Sequence, residues 1–263
     1  MHILDDPDLS PRLRALLTRA ERAPAMSAEQ IRDLARTRTP SGSEAPAPSA
    51  AIEAMVRFEE RYGGLWYPLL GSNGMEHGLR GEPTVRPGPH GWSFGGILDG
   101  DATWALDVLL DGRTAMTLAG RPRLINSGIA QRLEAHAQVA RVRYWPHVTM
   151  GFAVGPGRTP TAAGIGFPPL DVEATGPAGT WWGDGESAVH LELHTWWGSE
   201  DLWIARCFAR EAGRLASMAE SVRQGVTGGA WREEHWCIWC SDSRRSMQPC
   251  LPESPTGLPA ADH

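Results

Sequence analysis

The sequence predicts an α+β protein, with helices and mainly antiparallel strands packed together. Three observations lead there. Residues 50–62 repeat apolar side chains at the helical period, and Asp111-Gly112 sits between two apolar runs as a hairpin turn. A second half rich in Trp, Val and His reads as strands between Gly/Pro loops. With 263 residues, 41% of them hydrophobic, the chain can bury a core. Four parts follow: a helical arm with a Pro/Ser-rich linker (1–49), an α+β unit (50–140), a Trp-rich sheet with one long helix (141–240, helix 199–224), and a Pro-rich tail (241–263).

Between Pro11 and about Arg38, Leu13, Leu16, Leu17 and Ala20, then Met26, Ile31 and Leu34, recur near the helical period and predict two short helices. Ser27 and Gln30 make a capping box for the second, because the hydroxyl accepts from an orphan amide while the Gln side chain reaches back. Thr39 to Ser49 (TPSGSEAPAPS) cannot hold a helix and reads as a flexible connection. Ala50 to Tyr62 is a helix ended by Gly63-Gly64, and Leu65 to Tyr67 a short strand. Gly71 to Gly91, rich in Gly, Pro and His, reads as a long surface loop. Ser93 to Leu98, Thr103 to Leu110 and Thr114 to Leu118 are predicted strands, the last two joined by a type I′ turn at Asp111-Gly112, and Ile125 to Val139 a helix.

In the second half, strands are expected at Arg141 to Val154, Gly164 to Glu173, Ser187 to Trp197 and Trp231 to Cys240. Ser199 to Gln224 reads as a helix with Leu202, Cys207, Leu215, Met218 and Val222 on its buried face.

The run AIEAMVRFEERYGGL (Ala51 to Leu65) carries Phe58-Glu59 followed by Gly63-Gly64 at the close of a helix and leads straight into a strand. It resembles the opening of SUKH superfamily proteins, in which such a helix precedes a mainly antiparallel sheet. The stretch GDATWALDVLLDGRTAMTLAG (Gly100 to Gly120) resembles their paired strands, and the helix over Ile129 to Val139 completes the pattern. The likeness spans about residues 26–140. It implies an immunity protein that binds and blocks a toxin domain stoichiometrically, with no catalytic residues to carry over. The loop over Gly71 to Gly91 is longer than the family pattern, and about 120 residues after Ala140 have no counterpart in it.

Composition narrows the partners. A net charge of −6 and a pI near 5.8 argue against a nucleic-acid binder, which normally presents a basic stripe. No run approaches the roughly 18 apolar residues of a membrane span, and the first 20 residues lack the apolar core of a secretory signal, so the expected place is the cytoplasm. All 25 basic residues are Arg, in a chain rich in Ala and Gly, the codon bias of a high-GC bacterium. Acidic side chains at Glu53, Glu59, Glu60, Asp99 and Asp101 are expected to steer a basic toxin.

Strand alternation over Val189 to His194 puts His190, Glu192 and His194 on one face and Val189, Leu191 and Leu193 on the other. That face is either a solvated polar surface or an acid-base constellation, in which case the chain is a small-molecule enzyme of a biosynthetic pathway with a Trp-walled pocket. Twelve Trp include the dyads Trp181-Trp182 and Trp196-Trp197. Neighbours on one strand face opposite ways, so one member of each dyad is expected to be exposed or to line a cavity, as a binding surface would require. Cys237 and Cys240 form a single CxxC knuckle near His235 and Cys250, where a structural zinc normally takes two. They read as buried apolar thiols. No metal and no cofactor is implied, and there is no GxSxG, Walker loop, HExxH or Rossmann fingerprint.

Overall fold

A computed structural model of the chain describes residues 1–68, 76–97, 106–118, 121–142, 145, 147–154, 165–194, 202–225 and 232–233. After a 3-10 turn at Ile3–Asp5 come α1 (Pro11–Leu17), β1 (Glu21–Arg22), α2 (Ala28–Leu34), β2 (Arg36–Arg38), β3 (Glu44–Pro46) and α3 (Ser49–Tyr62). Strands β4 (Leu65–Pro68), β5 (Glu76–Leu79), β6 (Thr84–Gly88), β7 (Gly91–Gly95), β8 (Leu106–Leu109), β9 (Thr114–Leu118) and β10 (Arg121–Asn126) lead to α4 (Ile129–Val142). Then follow β11 (His147–Val154), a 3-10 turn at Val172–Ala174, β12 (Gly179–Gly183), β13 (Ser187–His194), β14 (Leu202–Ala209), α5 (Ala212–Gly225) and β15 (Arg232–Glu233).

The strands form three sheets, ordered β1-β4-β5, β10-β9-β8-β7-β6-β2-β3 and β12-β13-β14-β11-β15. All their pairings are antiparallel except β2 with β6. The protein is α+β, as predicted. No helix among the described residues is long and apolar enough to cross a membrane.

Helix α3 buries Ala51, Ala54, Met55 and Phe58 against Phe94, Leu106 and Leu133. Phe58 meets Phe94 edge-on with ring centroids 5.5 Å apart. Each such large side chain stabilises the fold by about 1.5–3 kcal/mol. The capping box of α2 is formed: Gln30 N–H donates to Ser27 Oγ at 3.1 Å, and Ser27 N–H to Gln30 Oε1 at 2.8 Å.

The five-stranded sheet is covered on both faces. Val189, Leu191, Trp203, Ala205 and Cys207 pack with Met218 and Val222 of α5, while Trp181, Ala188 and Phe208 pack on the other side with Val142 and Trp145. Arg12 ties this half to the first, donating to Glu134 on α4 at 2.8 Å, to Asp171 and to Glu173 at 3.2 Å.

Several elements differ from expectation. The linker expected over Thr39 to Ser49 is largely the β2–β3 hairpin, its turn held by Thr39 Oγ1 within hydrogen-bonding distance of Ser41 and Ser43 hydroxyls, both 2.8 Å. The loop expected over Gly71 to Gly91 contains β5 and β6, because Leu79 and Val85 are buried by pairing with β4 and β7. Among the described residues of the strand expected over Gly164 to Glu173, no strand forms: they hold the start of the 3-10 turn and an isolated bridge from Pro169 to Trp182. The strand expected from Arg141 begins only at His147, since α4 runs on to Val142.

The largest correction concerns the helix expected over 199–224. Residues 202–209 are strand β14, and the helix starts only at Ala212. Both faces of β14 are buried, so its sequence is a nearly continuous apolar run without a period, and the helical spacing seen across it was borrowed from α5. The strand expected over Trp231 to Cys240 is described only at Arg232–Glu233, and the tail from 241 lies outside the described residues.

Candidate functional site

Trp181, His190 and Arg206 form one row across three strands, since β12 pairs Trp181 with His190 and β14 pairs His190 with Arg206. The imidazole lies flat on the indole, centroids 3.9 Å apart and planes within 5°. His190 Nδ1 is 3.4 Å from Glu192 Oε2, and Glu192 is bonded to the Arg206 guanidinium. His190 is 6% exposed and Trp181 not at all. Burial pushes the imidazole down to about 4, against the attraction of Glu192 and with the help of Arg206. His190 is therefore neutral at pH 7.

The alternation over Val189 to His194 is present, but on its polar face His190 is closed off and Glu192 is only 23% exposed. The face expected to hold acid-base chemistry is a stacked, ion-paired row inside a covered sheet. Trp181 offers no surface to a partner, because both faces of its sheet are packed; Trp182 packs partly buried on the opposite face. His194 belongs to β13, but its side chain lies outside the described residues, as do Trp196, Trp197, Asp99, Asp101, His235, Cys237, Cys240 and Cys250. Among the described residues no group of three His, Cys, Asp or Glu is placed to hold a metal.

Glu59 is also placed differently from its expected role. It is 2% exposed, and its carboxylate accepts from Met26 N–H at 3.0 Å and from Gly81 N–H. Burial raises its affinity for a proton, against these two donors. A buried carboxylate that ties two chain returns together cannot steer a partner from solution. Gly63 is required beside it, because a Cβ there would collide with the Glu59 carboxylate and Ala25. Phe58, Glu59 and Gly63 are therefore one packed unit, which gives the Phe-Glu…Gly-Gly pattern a structural reason. Glu53 and Glu60 are exposed on the same helix.

Among the described residues of this unit, a groove of about 520 Å³ opens between α3, the β8–β9 hairpin and the start of α4. Arg57, Phe58, Arg61 and Tyr62 line one wall, Leu110 and Asp111 the other, and Ser127 lies on its edge. Arg61 is held by Asp6 and by the Met1 carbonyl at 3.3 Å. Beyond it, Arg132 is buried on α4 and bonded to the Tyr67 hydroxyl, which also lies 2.8 Å from His136 Nδ1. Burial holds the Tyr67 phenol up at about 12.

Arg57, Arg61 and Arg206 escape the sequence reading. Only Arg206 carries a usable sign, a single charge inside an apolar strand run, which requires a buried partner. Comparison with protein-family models, curated proteins and solved structures finds no match.

Proposed function

We propose that the chain is a bacterial immunity protein of SUKH type that neutralises a toxin domain in the cytoplasm by binding it one to one. Its partner is a polypeptide, and neither nucleic acid, membrane nor cofactor enters the interaction. One observation supports this reading: the helix with the SUKH-like pattern is fixed by its packed Phe58–Glu59–Gly63 unit and presents Phe58 to an open groove, while His190 and Glu59 are closed into structural roles.

The rival reading, a small-molecule enzyme using His190, Glu192 and His194, needs substrate to reach an imidazole. Trp181 covers one ring face and Glu192 is engaged by Arg206, so the described part of that row offers binding energy to the fold rather than to a substrate. The test is coexpression of the chain with the products of adjacent genes, screened first for one that is toxic when expressed alone. Growth is restored, and the two chains leave a size-exclusion column as a one-to-one complex. Toxicity that persists at equal expression, with the chains eluting apart, overturns the proposal.

A further inference from the structure

We infer that the groove between α3, the β8–β9 hairpin and the start of α4 receives an acidic segment of the polypeptide partner, one that presents a carboxylate beside an apolar side chain. The inference rests on the immunity reading and specifies the chemistry of its contact. Of the acidic residues expected to steer a basic toxin, Glu59 is buried and Glu53 and Glu60 are exposed on α3 but do not line this groove, where Asp111 is already engaged by the Arg113 amide at 3.0 Å and its Nε at 2.7 Å.

Charge complementarity selects the occupant. Arg57 is exposed on the groove wall and has no ion pair among the described residues. Arg61 stands one turn along α3, its guanidinium 6.0 Å from the Tyr62 ring centre and anchored by Asp6, so it presents a cation with little freedom left to lose. The first turn of α4, on the groove edge, carries no acidic residue to offset the positive end of the helix. In a chain of net charge −6, the groove lining carries two arginines, one of them paired with Asp6, against one aspartate, with Glu53 and Glu60 outside it on the same helix.

Phe58, Tyr62 and Leu110 add apolar area between the cations. A volume of about 520 Å³ suits a few side chains of an inserted segment rather than the flat face of a domain. Arginine is the side chain that grips a carboxylate with two parallel hydrogen bonds, and aromatic walls beside it reward an apolar neighbour on the ligand.

The experiment uses the full chain and a fluorescein-labelled pentapeptide of alternating glutamate and phenylalanine, with the same peptide carrying lysine for glutamate as control, read by fluorescence anisotropy. The acidic peptide binds, more weakly as salt is raised, and the lysine peptide does not. Arg57→Glu weakens binding about tenfold, the effect of losing one charge-assisted contact, while Arg57→Lys keeps most of it. Because Arg57 is exposed, neither variant alters the melting temperature. Equal binding of the two peptides, binding of neither, or full binding by Arg57→Glu overturns the inference. Neutralisation of the toxin that survives Arg57→Glu removes the groove and leaves the immunity reading standing. Acidic-peptide binding by a chain that neutralises no toxin does the reverse.

Discussion

His190 is the residue whose environment most changes its chemistry. Its ordinary pKa of 6.5 falls to about 4 in the fold, so between those values the unfolded chain binds a proton that the folded chain does not. Stability is therefore full above pH 6.5 and declines as pH falls toward 4, by about 3 kcal/mol for a displacement of this size. Replacing His190 with Phe keeps a ring on Trp181 and removes the titration. Urea unfolding at pH 7 and pH 4.5 checks this: the wild type loses about 2.5 kcal/mol more between the two than His190→Phe does. Equal losses would show that the imidazole is not buried as described. Glu59 shifts the opposite way, its folded form taking up a proton more readily than the unfolded one. Its contribution grows as pH falls, which makes the His190 comparison a matter of differences between variants rather than of the wild-type curve alone.

At the scale of elements, the β8–β9 hairpin shows how a correct sequence signal can carry a wrong detail. Asp111-Gly112 does make the turn, but Leu109 N–H bonds to the Arg113 carbonyl and Gly112 N–H to the Leu109 carbonyl, so three residues form the loop and only Gly112, at φ 90°, is left-handed. That is a type I turn closed by a glycine bulge, not the two-residue type I′ turn expected. Nothing lies within 4 Å of a Cβ at Gly112, so the penalty for a side chain is purely conformational. Gly112→Val destabilises by about 1–3 kcal/mol and Gly112→Asn by clearly less, because Asn tolerates the left-handed region. Chemical denaturation of the two variants measures it, and equal midpoints for both would contradict the turn. Signals contained within a few residues were legible in this way: the Ser27–Gln30 box, the α3 period, the Asp-Gly turn, the alternation over Val189 to His194. What was not legible depended on distant chain. Glu59 is silent as a cap until Met26 and Gly81, 33 and 22 residues away, are brought to it. Strand β14 looks helical because being covered on both faces erases the period-two signal, and the same cover turns the His190 face from a surface into an interior.

At the scale of the molecule, the two halves are joined by α4, whose Ile129, Leu133 and Ala137 lie in the first core and Val142 in the second, and by one arginine beside it. Arg12, on an N-terminal helix whose Leu13, Leu16 and Leu17 belong to the first core, reaches Glu134 on α4 and Asp171 at the start of the 3-10 turn that leads toward β12. The side chains of Arg12, Glu134 and Asp171 are only 11–14% exposed, while Glu173 is mostly in solvent and adds little. Arg141 stands 3.5 Å from the other oxygen of Asp171, and Ser10 donates to Glu134 at 3.0 Å. Without the guanidinium, two poorly hydrated carboxylates would be left with a half-exposed arginine and a hydroxyl between them. Arg12→Ala therefore destabilises by about 2–3 kcal/mol, more than loss of a surface ion pair. Because its contacts point outward from the first core rather than into it, the loss is uneven. Hydrogen exchange accelerates at Val172–Ala174 and along β12, while the amides of α3 and β7 keep their protection. Uniform acceleration across both halves would mean that α1 is an integral part of one cooperative core and that Arg12 is not the hinge pin of the assembly.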